Sequence, residues 1–150
     1  MSWDHPKNWG GVSITELRNC HYNKALMHTI PVEASSKIEA LRNNSYFSEL
    51  DERILEELSL GMRLQRVERG EVLFWEGDPS AGLHIIQRGS VKLFKTSAHG
   101  RELIIKVIDE GTTFNEAPVF DRGQNPVNAA ALEESEIWVV EADAIQNAMN

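Results

Sequence analysis

From residue 70 onward, Gly70, Gly77, Gly89, Gly100 and Gly111 cut the chain into short apolar runs, and this spacing constrains the fold more than any other feature. Intervals of roughly 8–12 residues suit short antiparallel strands joined by tight turns. The runs are Val72-Leu73-Phe74-Trp75, Leu83-His84-Ile85-Ile86, Val91-Lys92-Leu93-Phe94 and Leu103-Ile104-Ile105-Lys106-Val107-Ile108. Val91 and Leu93 set against Lys92 and Lys95 give the alternation of a half-buried strand. Arg88-Gly89-Ser90 and His99-Gly100-Arg101 read as hairpin turns, where glycine accepts the positive φ that such turns need. Two later strands, over 128–132 and 136–140, flank the acidic turn Glu133-Glu134-Ser135. About eight strands of this kind close most economically as two facing sheets. The predicted fold class is therefore mainly β with flanking helices, a double-stranded β-helix or jelly-roll β-roll.

The helices come before and after the roll. Residues 35–61 have a helical pattern, with Ser36 capping a short helix through Leu41 and Tyr46-Phe47 marking its junction with a second. In the second helix Leu50, Ile54 and Leu58 recur every four residues and Leu55 widens the stripe, so one face seeks an apolar partner. Ser48 is the expected N-cap and Gly61 the expected stop. Residues 1–34, with Trp3, Trp9, Gly10, Gly11 and Pro31, show no sustained period and read as an arm. The division expected is an arm over 1–34, a roll with leading helices over 35–141, and the start of a C-terminal helix over 142–150.

Composition narrows the function. With 41% hydrophobic and 25% charged residues, the 150-residue chain is an ordinary globular domain. Its apolar stretches are too short to cross a bilayer as a helix, and no apolar signal region opens it. Cys20 is the single cysteine, so neither an internal disulfide nor an iron–sulfur cluster can form, and a reducing, cytoplasmic setting is expected. Acids outnumber Lys and Arg 23 to 15, a balance unsuited to binding nucleic acid with this chain alone.

The ordered series of motifs resembles the cyclic-nucleotide-binding β-roll of the Crp/Fnr family of transcription regulators. The residues that carry the resemblance are the glycine ladder, the Glu76-Gly77-Asp78 turn, the hairpin from Gln87 to Lys95, and the segment from Ala131 to Val140. It implies a sensor domain that continues into a dimerisation helix and a helix-turn-helix domain beyond residue 150. It further implies a homodimer in the full-length protein, with DNA contacted only through that later domain and no membrane partner. Ligand-binding members hold the cyclic phosphate in a helix-and-loop cassette, which corresponds here to residues 111–130. There the backbone N–H groups and an arginine pin the anion. On this resemblance the ligand-binding candidates are Phe114, Asn115, Glu116, Ala117, Arg122, Asn125, Pro126 and Val127. Glu116 falls at the position that takes the ribose hydroxyl. Asn115 stands where the family usually has glycine, Asn125 at the arginine position, and Pro126 lacks an N–H altogether. The effector expected is a cyclic nucleotide (cAMP or cGMP) or another small molecule.

Blander readings stand beside these. Glu116 also suits the N-terminal turn of a helix, balancing its dipole, and Arg122 suits a solvated turn. His84 reads as a satisfied histidine within a sheet. Cys20, His21 and His28 lack a spaced second pair of ligands, so no metal site is expected. A cupin enzyme would need several histidines on the barrel wall, whereas the strands carry only His84. No catalytic residues are expected. A cyclic-nucleotide module of a kinase, channel or transporter is the alternative to a regulator, as is a roll sensing haem or a metabolite.

Overall fold

The computed structural model describes residues 28–121 and 123–148, which form nine strands and four helices. Strand β1 (Thr29–Ile30) leads into helix α1 (Ala34–Arg42) and, after a turn-rich junction, α2 (Glu52–Leu60). The roll follows as β2 (Met62–Val67), β3 (Val72–Phe74), β4 (Gly82–Arg88), β5 (Ser90–Thr96), β6 (Glu102–Asp109) and β7 (Thr113–Phe114). The short helix α3 (Ala117–Asp121) precedes β8 (Asn128–Ala131), β9 (Ser135–Glu141) and α4 (Ala142–Ala148).

Two antiparallel sheets face each other, one in the order β1-β2-β9-β4-β7 and the other β3-β8-β5-β6. The two-residue period of a strand sorts the side chains between two cores. Val67, Ile86, Phe114 and Ile137 of the first sheet meet Phe74, Val91, Ile108 and Ala129 of the second in the core between the sheets. The alternate residues Met62, Leu64, Leu83, Ile85, Trp138 and Val140 point outward and are covered by Leu41, Leu55, Leu58, Val119 and Ile145 of the helices. Each fully buried aliphatic side chain contributes about 1.5–3 kcal/mol, so both cores are needed to hold the layers.

The predicted roll and its flanking helices are therefore present, with local corrections. Helix α1 begins at Ala34 with Glu33 as N-cap, so Ser36 is a helical residue and caps nothing. Helix α2 is capped by Asp51, whose carboxylate accepts from the Arg53 N–H at 3.5 Å, and Ser48 lies in the junction before it. Aspartate wins because it sits one residue before the helix and also opposes the dipole. Leu50 therefore falls outside the helix and is exposed, while Gly61 ends it as expected. The Leu93 alternation is interrupted by a bulge between Leu93 and Phe94, which shifts the register against β6. Strand β1 pairs Thr29 with Gln65 and Ile30 with Leu64, inside the stretch read as arm. The expected roles of Trp3, Trp9, Cys20 and His21 lie outside the described residues.

Candidate functional site

The cassette leaves the first sheet at β7 and returns to the second at β8. Phe114 is buried, its ring against Phe74 at 6.2 Å and His84 at 5.2 Å. Asn115 follows with φ +62°, the only described non-glycine residue at positive φ. Asparagine is one of the few side chains that accept this conformation, which explains how it stands at a glycine position. Glu116 is half-buried and opens α3, with Ala117 exposed beside it. Asn125 is buried, Pro126 exposed and Val127 half-buried; Arg122 lies outside the described residues.

These residues are drawn together by a run of hydrogen bonds. Asn115 Nδ2 donates to Asn125 Oδ1 at 2.9 Å and to Ser80 Oγ at 3.2 Å. Asn125 Nδ2 donates to the Trp75 carbonyl at 3.0 Å, its backbone N–H to Asp78 O at 2.8 Å, and its carbonyl accepts from Gly77 N–H at 2.9 Å. The Glu76-Gly77-Asp78 turn is thereby laced to the end of the cassette. The Glu76 N–H also donates to Asn128 Oδ1 at 2.7 Å. Buried amides must find partners, and here they find one another.

His84 lies on the inner face of β4, in register with Phe114 and flanked by Phe74 at 5.1 Å. Its Nδ1 is 3.1 Å from the Gly82 carbonyl, which can only accept, so the proton sits on Nδ1 and Nε2 keeps its lone pair. Burial lowers its pKa to about 3, nearby Arg63 adds to the effect, and the bond to Gly82 partly opposes it. The imidazole is neutral at neutral pH.

Two contacts tie the cassette to the helices. The Tyr46 phenol donates to Glu116 Oε2 at 3.3 Å, and Asn44 Nδ2 donates to Thr113 Oγ1 at 2.7 Å, near the start of the cassette. At the other end Gln146 Nε2 of α4 donates to the Val119 carbonyl of α3 at 2.7 Å. The sequence marks Tyr46 only as a junction residue and Asn128 only as the start of a strand, and it carries no signal for Ser80 or Gln146. The one available signal was Asn115 itself, an αL-tolerant residue where glycine was expected. Among the described residues no group of three or more His, Cys, Asp or Glu is placed to hold a metal ion. No described helix is long and apolar enough to cross a membrane.

The sequence model of the cyclic nucleotide-binding domain matches residues 64–150, more than half of the chain. The chain belongs to the cyclic nucleotide-binding domain family. This domain is 31% identical over 91 residues to a CRP-like cAMP-activated global transcriptional regulator of Mycobacterium tuberculosis, covering 59% of the chain and 41% of the relative. It is 30% identical over 69 residues to the cyclic AMP receptor protein of Thermus thermophilus, covering 46% and 32%. Among solved structures, the sensor domain of the transcriptional regulator DNR from Pseudomonas aeruginosa superposes with a TM-score of 0.71 at 25% identity. That match covers 77% of this chain and 78% of the other. The cyclic nucleotide-binding domain described here thus spans less than half the length of the curated relatives it matches. The β-roll, expected from the glycine ladder, and the likeness to the Crp/Fnr regulators, expected from the ordered series of motifs, are confirmed.

Proposed function

We propose that this chain is the effector-sensing domain of a Crp-like, DNA-binding transcriptional regulator of the cytoplasm. A small effector enters the roll beside the cassette, with Phe114, Asn115, Glu116, Ala117, Arg122, Asn125, Pro126 and Val127 as the residues around it. DNA contact belongs to a helix-turn-helix domain following residue 150, and the working form is a homodimer. The exposed Leu103, Ile105 and Val107 of β6 suit coverage by a partner's helix. The observation that carries the reading is the bond from Gln146 to the Val119 carbonyl, which joins cassette helix α3 to α4 directly. An effector can shift such an equilibrium only through different affinities for its two states, and α3 is where cassette and exit helix touch. A cyclic-nucleotide module of a kinase or channel is not favoured, because the Mycobacterium tuberculosis relative is a CRP-like transcriptional regulator.

The test is amide hydrogen exchange along α4 with and without a bound effector, in wild type and Gln146→Ala. Exchange that changes in the wild type and no longer changes in the variant supports the relay. Unchanged exchange with the cassette occupied would remove it.

A further inference from the structure

The donors and acceptors of the cassette carry information about its ligand beyond the sensing role. A cyclic phosphate needs hydrogen-bond donors and a cation at the point where it sits. Among the described residues of this cassette, several of the donors are spent or absent. Pro118 and Pro126 have no N–H. The Asn125 N–H is committed to Asp78 O at 2.8 Å, that of Val119 to Glu116 O at 3.2 Å, and that of Gly123 to Pro118 O at 2.9 Å. Both protons of the Asn115 amide are used, on Ser80 and on Asn125. What remains at the head of α3 are the N–H groups of Glu116 and Ala117, beside the Glu116 carboxylate, whose charge opposes an anion.

The acceptors, in contrast, are plentiful. Glu116 offers a half-buried carboxylate of which one oxygen takes the Tyr46 phenol. Asn115 keeps its Oδ1, since its amide protons make the bonds named above. His84, buried on the inner face next to Phe114, keeps an Nε2 lone pair. The wider field has the same sign. From residue 107 to the end the sequence has nine acidic residues and one basic residue, Arg122, so this part alone carries the chain's net charge of −8.

We propose that the Asn115–Asn125 pair closes the anion seat of this cassette. The site then recognises its effector through hydrogen bonds the effector donates, as a hydroxylated or amine-bearing small molecule without a phosphate. This rests on the sensing reading above and adds the chemical class of the ligand. The two asparagines do the excluding: their amides bond to each other where an arginine would meet the phosphate, and releasing them would leave buried polar groups unpaired.

A cyclic nucleotide and its parent nucleoside, which lacks the cyclic phosphate, decide it. The chain is titrated by calorimetry with cAMP and with adenosine, alongside Asn125→Arg and the double variant Asn115→Gly/Asn125→Arg, whose folding is checked by circular dichroism. In the wild type, cAMP is expected to bind no more tightly than adenosine, and absence of binding by both at millimolar concentration equally supports exclusion of the phosphate. At least one folded variant should gain roughly a hundredfold or more in cAMP affinity, the scale of a charge-assisted pair, with adenosine unchanged. Wild-type preference for cAMP over adenosine by tenfold overturns the proposal, most directly if Arg122→Ala abolishes it. Folded variants that gain nothing overturn it as well. Neither result touches the sensing role, whose failure appears separately as α4 exchange that ignores a bound ligand.

Discussion

The Tyr46 phenol and the Glu116 carboxylate meet across 3.3 Å, joining the loop between the two leading helices to the head of the cassette helix. Tyr46 titrates above its ordinary value of 10.0 because of desolvation, then the Glu116 charge, then the hydrogen bond itself. An anion beside a phenol disfavours the phenolate, so Glu116→Gln should lower the Tyr46 pKa toward the ordinary value without restoring it fully. Near-ultraviolet absorbance titration reads this in a Tyr22→Phe background, which leaves Tyr46 as the only tyrosine. A Tyr46 pKa unmoved by the substitution would mean that the contact does not persist in solution.

Buried His84 makes stability depend on pH. Its folded pKa of about 3 lies below the ordinary 6.5, so between those values the unfolded chain takes up a proton that the folded chain refuses. The His84 contribution is therefore whole above pH 6.5 and declines as pH falls toward 3. Over the interval from pH 7 to 4.5 this amounts to a loss on the order of 2 kcal/mol. Urea unfolding of wild type and His84→Phe at both pH values isolates the effect from that of the carboxylates. The stability difference between the two proteins should shift in favour of the variant at the lower pH.

Two turn glycines should respond differently to alanine. Gly89 has φ +103°, and a Cβ there would lie 2.1 Å from Ser135 Oγ and 2.8 Å from Ser135 Cα. Gly100 has φ +80° with nothing within 4 Å. Gly100→Ala should cost about 1–2 kcal/mol, the strain of the left-handed region alone. Gly89→Ala adds a collision with backbone and should cost clearly more. Chemical denaturation compares them, and equal costs would show that the Ser135 contact relaxes freely.

Strand β6 offers a contrast between its faces. Ile105 is exposed and Ile108 is buried in the core between the sheets. Ile105→Ala should change stability by about 0.5 kcal/mol or less, whereas Ile108→Ala should cost about 2–5 kcal/mol. Thermal unfolding of the two variants is sufficient to tell them apart.

The roll was readable because its signals are local. Glycine-marked turns and short apolar runs report on residues that are neighbours in sequence, and six of the strands between Val72 and Val140 follow from them, while the two-residue β7 does not. Strand β2 was less legible: Met62-Arg63-Leu64-Gln65-Arg66-Val67 alternates, but it precedes the glycine ladder and has no turn residue to mark its start. Helix caps were misplaced by three residues at both helices because Ser36 and Ser48 are good cap types with stronger competitors nearby. In the cassette, Glu116 and Asn125 could be located by resemblance. What they touch could not be, since Asn125 bonds Trp75, 50 residues away, and Asn44 bonds Thr113, 69 away. Composition records that an asparagine stands in place of an arginine; only the folded chain records that it is already occupied.

Gly61 ends α2 against α4, and a Cβ on it would lie 2.5 Å from the Ala144 Cβ. The missing side chain lets the two helices lie in direct contact, so α4 has no room to press closer. The contact is a mechanical end-stop on that side: the exit helix cannot move further toward Gly61.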